Sequence, residues 1–387
     1  MPARLGAIIA IALGVTMAVL DGMIANVALP TIANDLGTSA ANSIWVVNAY
    51  QLVIAVSLLP LASLGDLWSY RRIYLIGLAV FSAMSIVCAL SDSLLQLTLA
   101  RMLQGLGAAA VMSVNGALTR LIYPRARLAR GVALNTLIVS VAAAAGPSVA
   151  AVILSLASWP WLFAVSAPVG LLALLMGWKF LPANEGVPSL RFDLPSAVLN
   201  VLTLGCFFMA VTGVAQGHAG WWLLGPLLIG GPLGWLFVRR QLSRSMPLLP
   251  VDLLRIPIFA LSIGSSITAF AGQMLAMVSI PFYFQQQLGL NAMQTGLLMT
   301  PWPLATMVSA PLAGRLLERF HAGLLGGIGM LLFAGGLWGL AALPDKPGTG
   351  AILGWMVLCG AGFGLFQQKW RHDRAEYAQA WIARIDG

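Results

Sequence analysis

The sequence predicts an all-helical protein that crosses a membrane twelve times. Three observations carry this. Of the 387 residues, 59% are hydrophobic and only 9% are charged. The apolar residues come in runs of about 20, the length that spans a bilayer core as a helix. The cations collect between alternate runs. A soluble domain carries about 25% charged and 45–50% apolar residues. A soluble enzyme, a nucleic-acid-binding domain and a disordered chain are therefore excluded, and the formal charge of +9 reads as the excess of Lys and Arg in cytoplasmic loops.

The spans follow in order. Arg4 precedes an apolar run that continues to Pro30. The apolar core of a secretory signal is about 7–15 residues; this run is longer and contains Asp21, so it is the first span rather than a cleaved leader. The twelve spans fall at 5–29, 43–64, 72–91, 94–117, 130–156, 159–181, 194–214, 221–238, 257–284, 291–316, 322–343 and 349–366. With the N-terminus in the cytoplasm, nineteen of the 21 Lys and Arg fall in inner segments or the tail. Lys346 alone falls in an outer loop, and Arg101 lies within a span. Adding or removing one span midway would scramble this asymmetry. Cys88, Cys206 and Cys359 sit in apolar stretches without metal-ligand spacing and read as small buried hydrophobes. His218 and His321 fall in loops and His372 in the tail, with no cluster of metal ligands or nucleophile–base pair, which argues against a membrane enzyme.

Two charges, Asp21 and Arg101, lie deep within spans, away from their ends, where a charge costs roughly 2.5–3.5 kcal/mol on the insertion scale. Asp21 is eight residues in from Leu29, about 12 Å at 1.5 Å per residue. Arg101 is seven residues in from Leu94, about 10 Å by the same rise. Both sit at one level of the outer half and are placed to pair if spans 1 and 4 are neighbours. Burial works against a charged carboxylate and a guanidinium works for it. A carboxyl held between those two pushes is suited to gaining and losing a proton as access alternates; a static ion pair that orders the bundle is the alternative.

Four stretches carry a family resemblance. Leu20-Asp21-Gly22-Met23-Ile24-Ala25-Asn26-Val27-Ala28-Leu29-Pro30 is similar to the first-span signature of the EmrB/QacA-type drug:proton antiporters, the fourteen-helix branch of the major facilitator superfamily, with Met23 where Thr is usual. Leu64-Gly65-Asp66-Leu67-Trp68-Ser69-Tyr70-Arg71-Arg72 resembles the superfamily's acidic-basic loop in degraded form, keeping Asp66, Arg71 and Arg72. Arg101-Met102-Leu103-Gln104-Gly105-Leu106-Gly107-Ala108-Ala109 nearly completes the fourth-span motif. Ala145-Gly146-Pro147 resembles the antiporter motif, with Ala150 and Ala151 where two glycines are usual. Weaker likenesses at Ser158–Phe163, Phe192–Pro195, Tyr283–Gln285 and Gly296–Pro301 extend it over most of residues 5–367.

Each motif also has a physical reading. Gly105, Gly107 and Ala108 are small residues that let a neighbouring helix approach closely. Pro147 removes a backbone donor in mid-membrane, so the fifth span should bend there. The resemblance implies that Asp21 and Arg101 serve proton coupling and that Asp66, Arg71, Arg72, Arg315 and Glu318 form loops biasing two states. The second acidic-basic loop, Gly314–Arg319, falls between spans 10 and 11, two spans later than in a twelve-helix transporter. This implies an N-terminal six-helix bundle (1–181), a linker with two extra spans (182–256), four helices of a C-terminal bundle (257–366) and an atypical polar tail (367–387). The change in character after Gln367 reads as a truncation or frame shift that removes two expected helices, with a natural cytoplasmic tail as the alternative.

The implied function is proton-coupled efflux of small lipophilic or cationic compounds across a bacterial inner membrane, by a monomer in the lipid bilayer, with the proton gradient in place of a cofactor and no nucleic-acid partner. Aromatics attract cationic groups and Met repacks around varied shapes. Trp45, Asn48, Tyr50, Gln51, Asn115, Gln273, Met274 and Met277 are the candidate lining residues, although Trp and Tyr near helix ends also serve as interface anchors. An inactive fragment, or a superfamily transporter of another solute, is the alternative.

Overall fold

In the computed structural model the described residues are 2–124, 127–186, 192–215, 220–244, 248–249, 251–316, 319–344 and 347–385. Arg125, Arg191, His218, Glu318 and Lys346 lie outside them, as do the side chains of Arg130 and of residues 368–385.

Every long element among the described residues is a helix, as a bilayer demands, because a helix satisfies its own backbone groups where no water can. They are α1 (Pro2–Asp35), α2 (Trp45–Leu67), α3 (Tyr70–Ala89), α4 (Leu94–Ile122), α5 (Leu128–Leu156), α6 (Pro160–Ala164 continued by Ser166–Phe180), α7 (Leu194–Ala215), α8 (Trp221–Leu242), α9 (Pro257–Phe282), α10 (Ala292–Met299 and Pro301–Leu316), α11 (Ala322–Ala341) and α12 (Thr349–Ile385). Ten of the helices are long and apolar enough to cross a membrane. Caps set several starts. The Ser69 hydroxyl accepts from the Arg72 N–H ahead of α3, and Ser93 does the same for Gln96 ahead of α4. Asn291 and Gln294 form a reciprocal capping box ahead of α10.

Two elements depart from the sequence expectation. The tenth span is not one helix. It is interrupted at Thr300, which keeps helical dihedrals (φ −59°, ψ −36°), because Pro301 offers no N–H to the ladder. The twelfth helix does not end with the span at 366: the α12 backbone stays helical to Ile385. Residues 368–385 contain no Gly or Pro and are rich in Ala, Arg and Gln, all good helix formers.

The chain divides into two compact units. The first is Met1–Ala25, Thr31–Val139 and Ser158–Val251; the second is Asn26–Pro30, Ser140–Ala157 and Asp252–Gly387. In the first unit Tyr74, Leu78, Phe81, Val111 and Leu118 are fully buried between α3 and α4. Two tyrosines tie α1 down: Tyr74 donates to the Ala10 carbonyl at 3.0 Å and Tyr50 to the Ala18 carbonyl at 3.1 Å. Small residues set how close α4 comes. A Cβ on Gly107 would stand 2.6 Å from the Phe81 nitrogen of α3, and one on Gly105 would stand 2.7 Å from the Tyr50 carbonyl oxygen of α2. Gly105 and Gly107 thus act as the sequence reading expected.

The second unit is held by aromatics. Trp302 of α10, fully buried, meets Phe333 of α11 edge-on at 5.7 Å. Phe333 meets Phe363 of α12 at 5.6 Å, and Phe363 meets Phe270 of α9 at 5.2 Å. After α9 the backbone widens into a π-turn, Tyr283–Gln287. From this turn the Gln285 amide donates to the Val27 carbonyl at 3.1 Å.

Candidate functional site: a buried ion pair and its amide bridge

Asp21 and Arg101 are the only charged side chains buried among the described residues, at 1% and 0% exposure. They meet. α1 presents Asp21 and α4 presents Arg101, and the guanidinium Nη1 donates to Asp21 Oδ2. The depths worked from the sequence, about 12 and 10 Å, placed both groups at one level, and the packing closes the gap.

Five helices, α1, α2, α3, α4 and α6, contribute side chains or backbone to the site. Arg101 Nη1 also donates to Gln104 Oε1 at 2.6 Å, and Nε donates to the Val46 carbonyl of α2 at 3.2 Å. The guanidinium carbon sits over the Tyr50 ring, 4.0 Å from its centroid, and 5.3 Å from that of Phe163. Each ring presents its negative face to the cation. Nη2 has no hydrogen-bond partner.

Gln104, fully buried, ties the pair to α3. Its Nε2 donates to Asp21 Oδ1 at 3.1 Å and to Ser85 Oγ at 2.9 Å. Its Oε1 accepts from Arg101 and from Cys88 Sγ at 3.5 Å. The amide orientation follows from these partners. The single Ser85 hydrogen is committed to the Phe81 carbonyl at 2.8 Å, so Ser85 can only accept from Gln104. Both amide hydrogens and both oxygen lone pairs are used. Cys88, read from the sequence as a small hydrophobe, is a hydrogen-bond donor in this network.

The Asp21 carboxylate accepts one hydrogen bond at each oxygen. A proton on Asp21 would turn an acceptor into a donor and cancel the ion pair. Arg101 would still hold the Val46 carbonyl, Gln104 and the Tyr50 ring.

The other sequence candidates fall as follows. Exposed Asp66 accepts from Tyr70 at 2.6 Å. Asn184 accepts from Ser69 Oγ at 3.0 Å and from the Arg71 N–H at 3.2 Å, while Arg71 Nη2 donates to the Trp178 carbonyl. Arg72 and Arg315 are exposed. Gly146 and Pro147 are buried on α5, and Gly296 of α10 packs against Pro147 and Ala151. The Ser148 hydroxyl bonds Thr300 at 2.7 Å. Trp45 meets Phe208 of α7 edge-on at 5.8 Å. Tyr50, expected in a substrate path, lies beneath Arg101. Asn48 and Gln51 are partly buried on α2, with Gln51 beside Gly22. Asn115 Oδ1 is buried without a hydrogen-bond partner. Gln273 and Met274 are partly buried and Met277 is buried on α9.

A profile of the Major Facilitator Superfamily matches residues 11–370. The chain is 58% identical over 373 residues to a protein of Escherichia coli K12 called the uncharacterized transporter YebQ, across 96% of this chain and 82% of that protein. It is 32% identical to the tetracenomycin C resistance and export protein of Streptomyces glaucescens, across 92% of this chain and 66% of that one. It is also 32% identical to the multidrug resistance protein Stp of Mycobacterium tuberculosis, across 92% and 67%. Among solved structures, the D-xylose–proton symporter superposes with a TM-score of 0.65 at 13% identity, over 94% of this chain and 80% of that one. A bacterial homolog of the human lysosomal transporter Spinster, inward-facing and unoccupied, superposes with a TM-score of 0.63 at 17% identity, over 96% and 74%. At such identities the likeness concerns the fold.

Proposed function

This chain belongs to the Major Facilitator Superfamily, and from that premise we propose that it exports small lipophilic or cationic compounds in exchange for protons. The observation that carries the reading is the buried network of Asp21, Arg101 and Gln104. A membrane protein bears the cost of such charges where they do work. In this reading Asp21 takes a proton from outside, releases its hold on Arg101 and Gln104, and so changes how α1 packs on its neighbours. The bundles rock, and proton and substrate exchange sides.

Two of the relatives are named for export or multidrug resistance, which supports a hydrophobic or cationic substrate. Aromatic and Met side chains among the lining candidates suit such a substrate. The placement of the second acidic-basic loop after α10 supports the fourteen-helix branch, with 1–181 and 257–366 contributing the bundles and 182–256 the inserted pair. Asp66, Arg71, Arg72, Arg315 and Glu318 bias the two states. The cation asymmetry supports a cytoplasmic N-terminus in a bacterial inner membrane.

The test is ethidium efflux from energised cells carrying wild-type protein or Asp21→Asn, with membrane insertion checked by immunoblot. Loss of uphill efflux at unchanged insertion is expected. Efflux retained against the gradient in Asp21→Asn overturns the proton role.

A further inference from the structure

We propose that the polar ends of α7 and α8 form a binding site for the headgroup of an anionic phospholipid. The two helices flank an open groove of about 850 Å³. Its wall is apolar, with Leu194, Val198 and Leu236 respectively 59%, 45% and 46% exposed. Its mouth carries Arg239, Arg240 and Arg244 of α8 and the loop after it.

The three arginines do different jobs. Arg240 is held by Asp193, Nη2 to Oδ1 at 2.8 Å, and its Nε donates to Ser196 Oγ at 3.0 Å. Ser196 also donates to Asp193, backbone and hydroxyl, at 3.3 and 2.7 Å. Asp193 and Ser196 therefore fix Arg240 as a post. Arg244 touches the same carboxylate through Nε at 3.4 Å, with its side chain 51% exposed. Arg239 is exposed, rests on the Trp235 ring at 5.3 Å and meets no carboxylate among the described residues. Among the described residues, one acid against three bases leaves two positive charges at the mouth, and Arg239 and Arg244 are exposed.

That combination selects its ligand. A phosphodiester matches a guanidinium fork, and acyl chains match an exposed Leu and Val wall. Basic clusters at the polar ends of membrane helices attract anionic headgroups. A soluble anion would use the arginines and leave the apolar wall bare. The cleft lies wholly within the first compact unit and does not depend on the export reading.

The test is native mass spectrometry of the full chain, released from detergent and titrated with phosphatidylglycerol, phosphatidylcholine or inorganic phosphate. Wild type should retain phosphatidylglycerol in preference to phosphatidylcholine, and millimolar phosphate should not displace it. Arg239→Ala with Arg244→Ala should weaken phosphatidylglycerol retention by roughly 30-fold and leave phosphatidylcholine unchanged. Ser243→Glu, which keeps every arginine and adds one negative charge at an exposed position of the cleft, should give a smaller loss, roughly fivefold, and serves if the alanine pair fails to fold. Equal retention of the two lipids, displacement by free phosphate, or undiminished phosphatidylglycerol binding in the folded variants overturns the proposal.

Discussion

The ion pair can be broken from either side, and the structure says the two sides are unequal. In Arg101→Leu the Asp21 carboxylate stays buried at 1% exposure with one donor left, the Gln104 amide at 3.1 Å. Removing one partner of a buried pair costs about 3–5 kcal/mol, because the other charge is left uncompensated. In Asp21→Leu the guanidinium loses its counter-ion but keeps the Val46 carbonyl, Gln104 Oε1 and the Tyr50 ring at 4.0 Å. A hydrogen bond to a charged group is worth about 1.5–3 kcal/mol, so this loss should fall at the low end, about 2–3 kcal/mol. The double variant leaves no buried charge, and swapping a buried pair for apolar residues is often neutral or stabilising. It should therefore be more stable than Arg101→Leu alone, with a coupling of at least about 2 kcal/mol. The assay is thermal unfolding of the purified protein in one detergent. At about 2 °C per kcal/mol for a large chain, Arg101→Leu should lower the midpoint by roughly 6–10 °C. A double variant whose loss equals the sum of the two single losses would refute the reasoning.

Other perturbations follow from the same contacts. Gln104→Leu keeps the volume but strips a donor from Asp21 and an acceptor from Arg101. It should destabilise by about 2–4 kcal/mol in the same unfolding assay. Gly107→Val should fold poorly or lose about 1–3 kcal/mol, since its Cβ would press on the Phe81 nitrogen at 2.6 Å; Gly116→Ala, with nothing within 4 Å, should be close to silent in thermal unfolding. At Asp193, partial burial pushes the carboxyl up, but hydrogen bonds from Arg240 and Ser196 outweigh it and hold the group below its ordinary value. A depressed carboxyl contributes stability above its unfolded value of about 3.9, and that contribution is lost as pH falls through the folded value. The midpoint gap between wild type and Asp193→Asn should thus be constant at neutral pH and close below about pH 4; a gap that widens on acidification contradicts this.

Sequence alone determined the class of structure and the depth of its charges. Composition excluded a water-soluble body, and run length with cation asymmetry marked out the spans. Counting residues from the span ends set Asp21 and Arg101 at one level, because a helix rises a constant 1.5 Å per residue. Rotation was not legible. These helices are apolar all round, so periodicity names no inner face, and nothing said which way Gln104, Ser85 or Cys88 pointed. Gln104 stands three residues after Arg101, on the same helical face, which marks it as the side chain most open to discovery by pattern. Ser85 and Cys88 carried the same spacing on α3, a signal too common to read. Only the packing of α1, α2, α3 and α4 decided that the amide of Gln104 joins Asp21, Arg101 and Ser85. Depth is a property of one helix, whereas a hydrogen-bond network depends on how several helices are turned against one another.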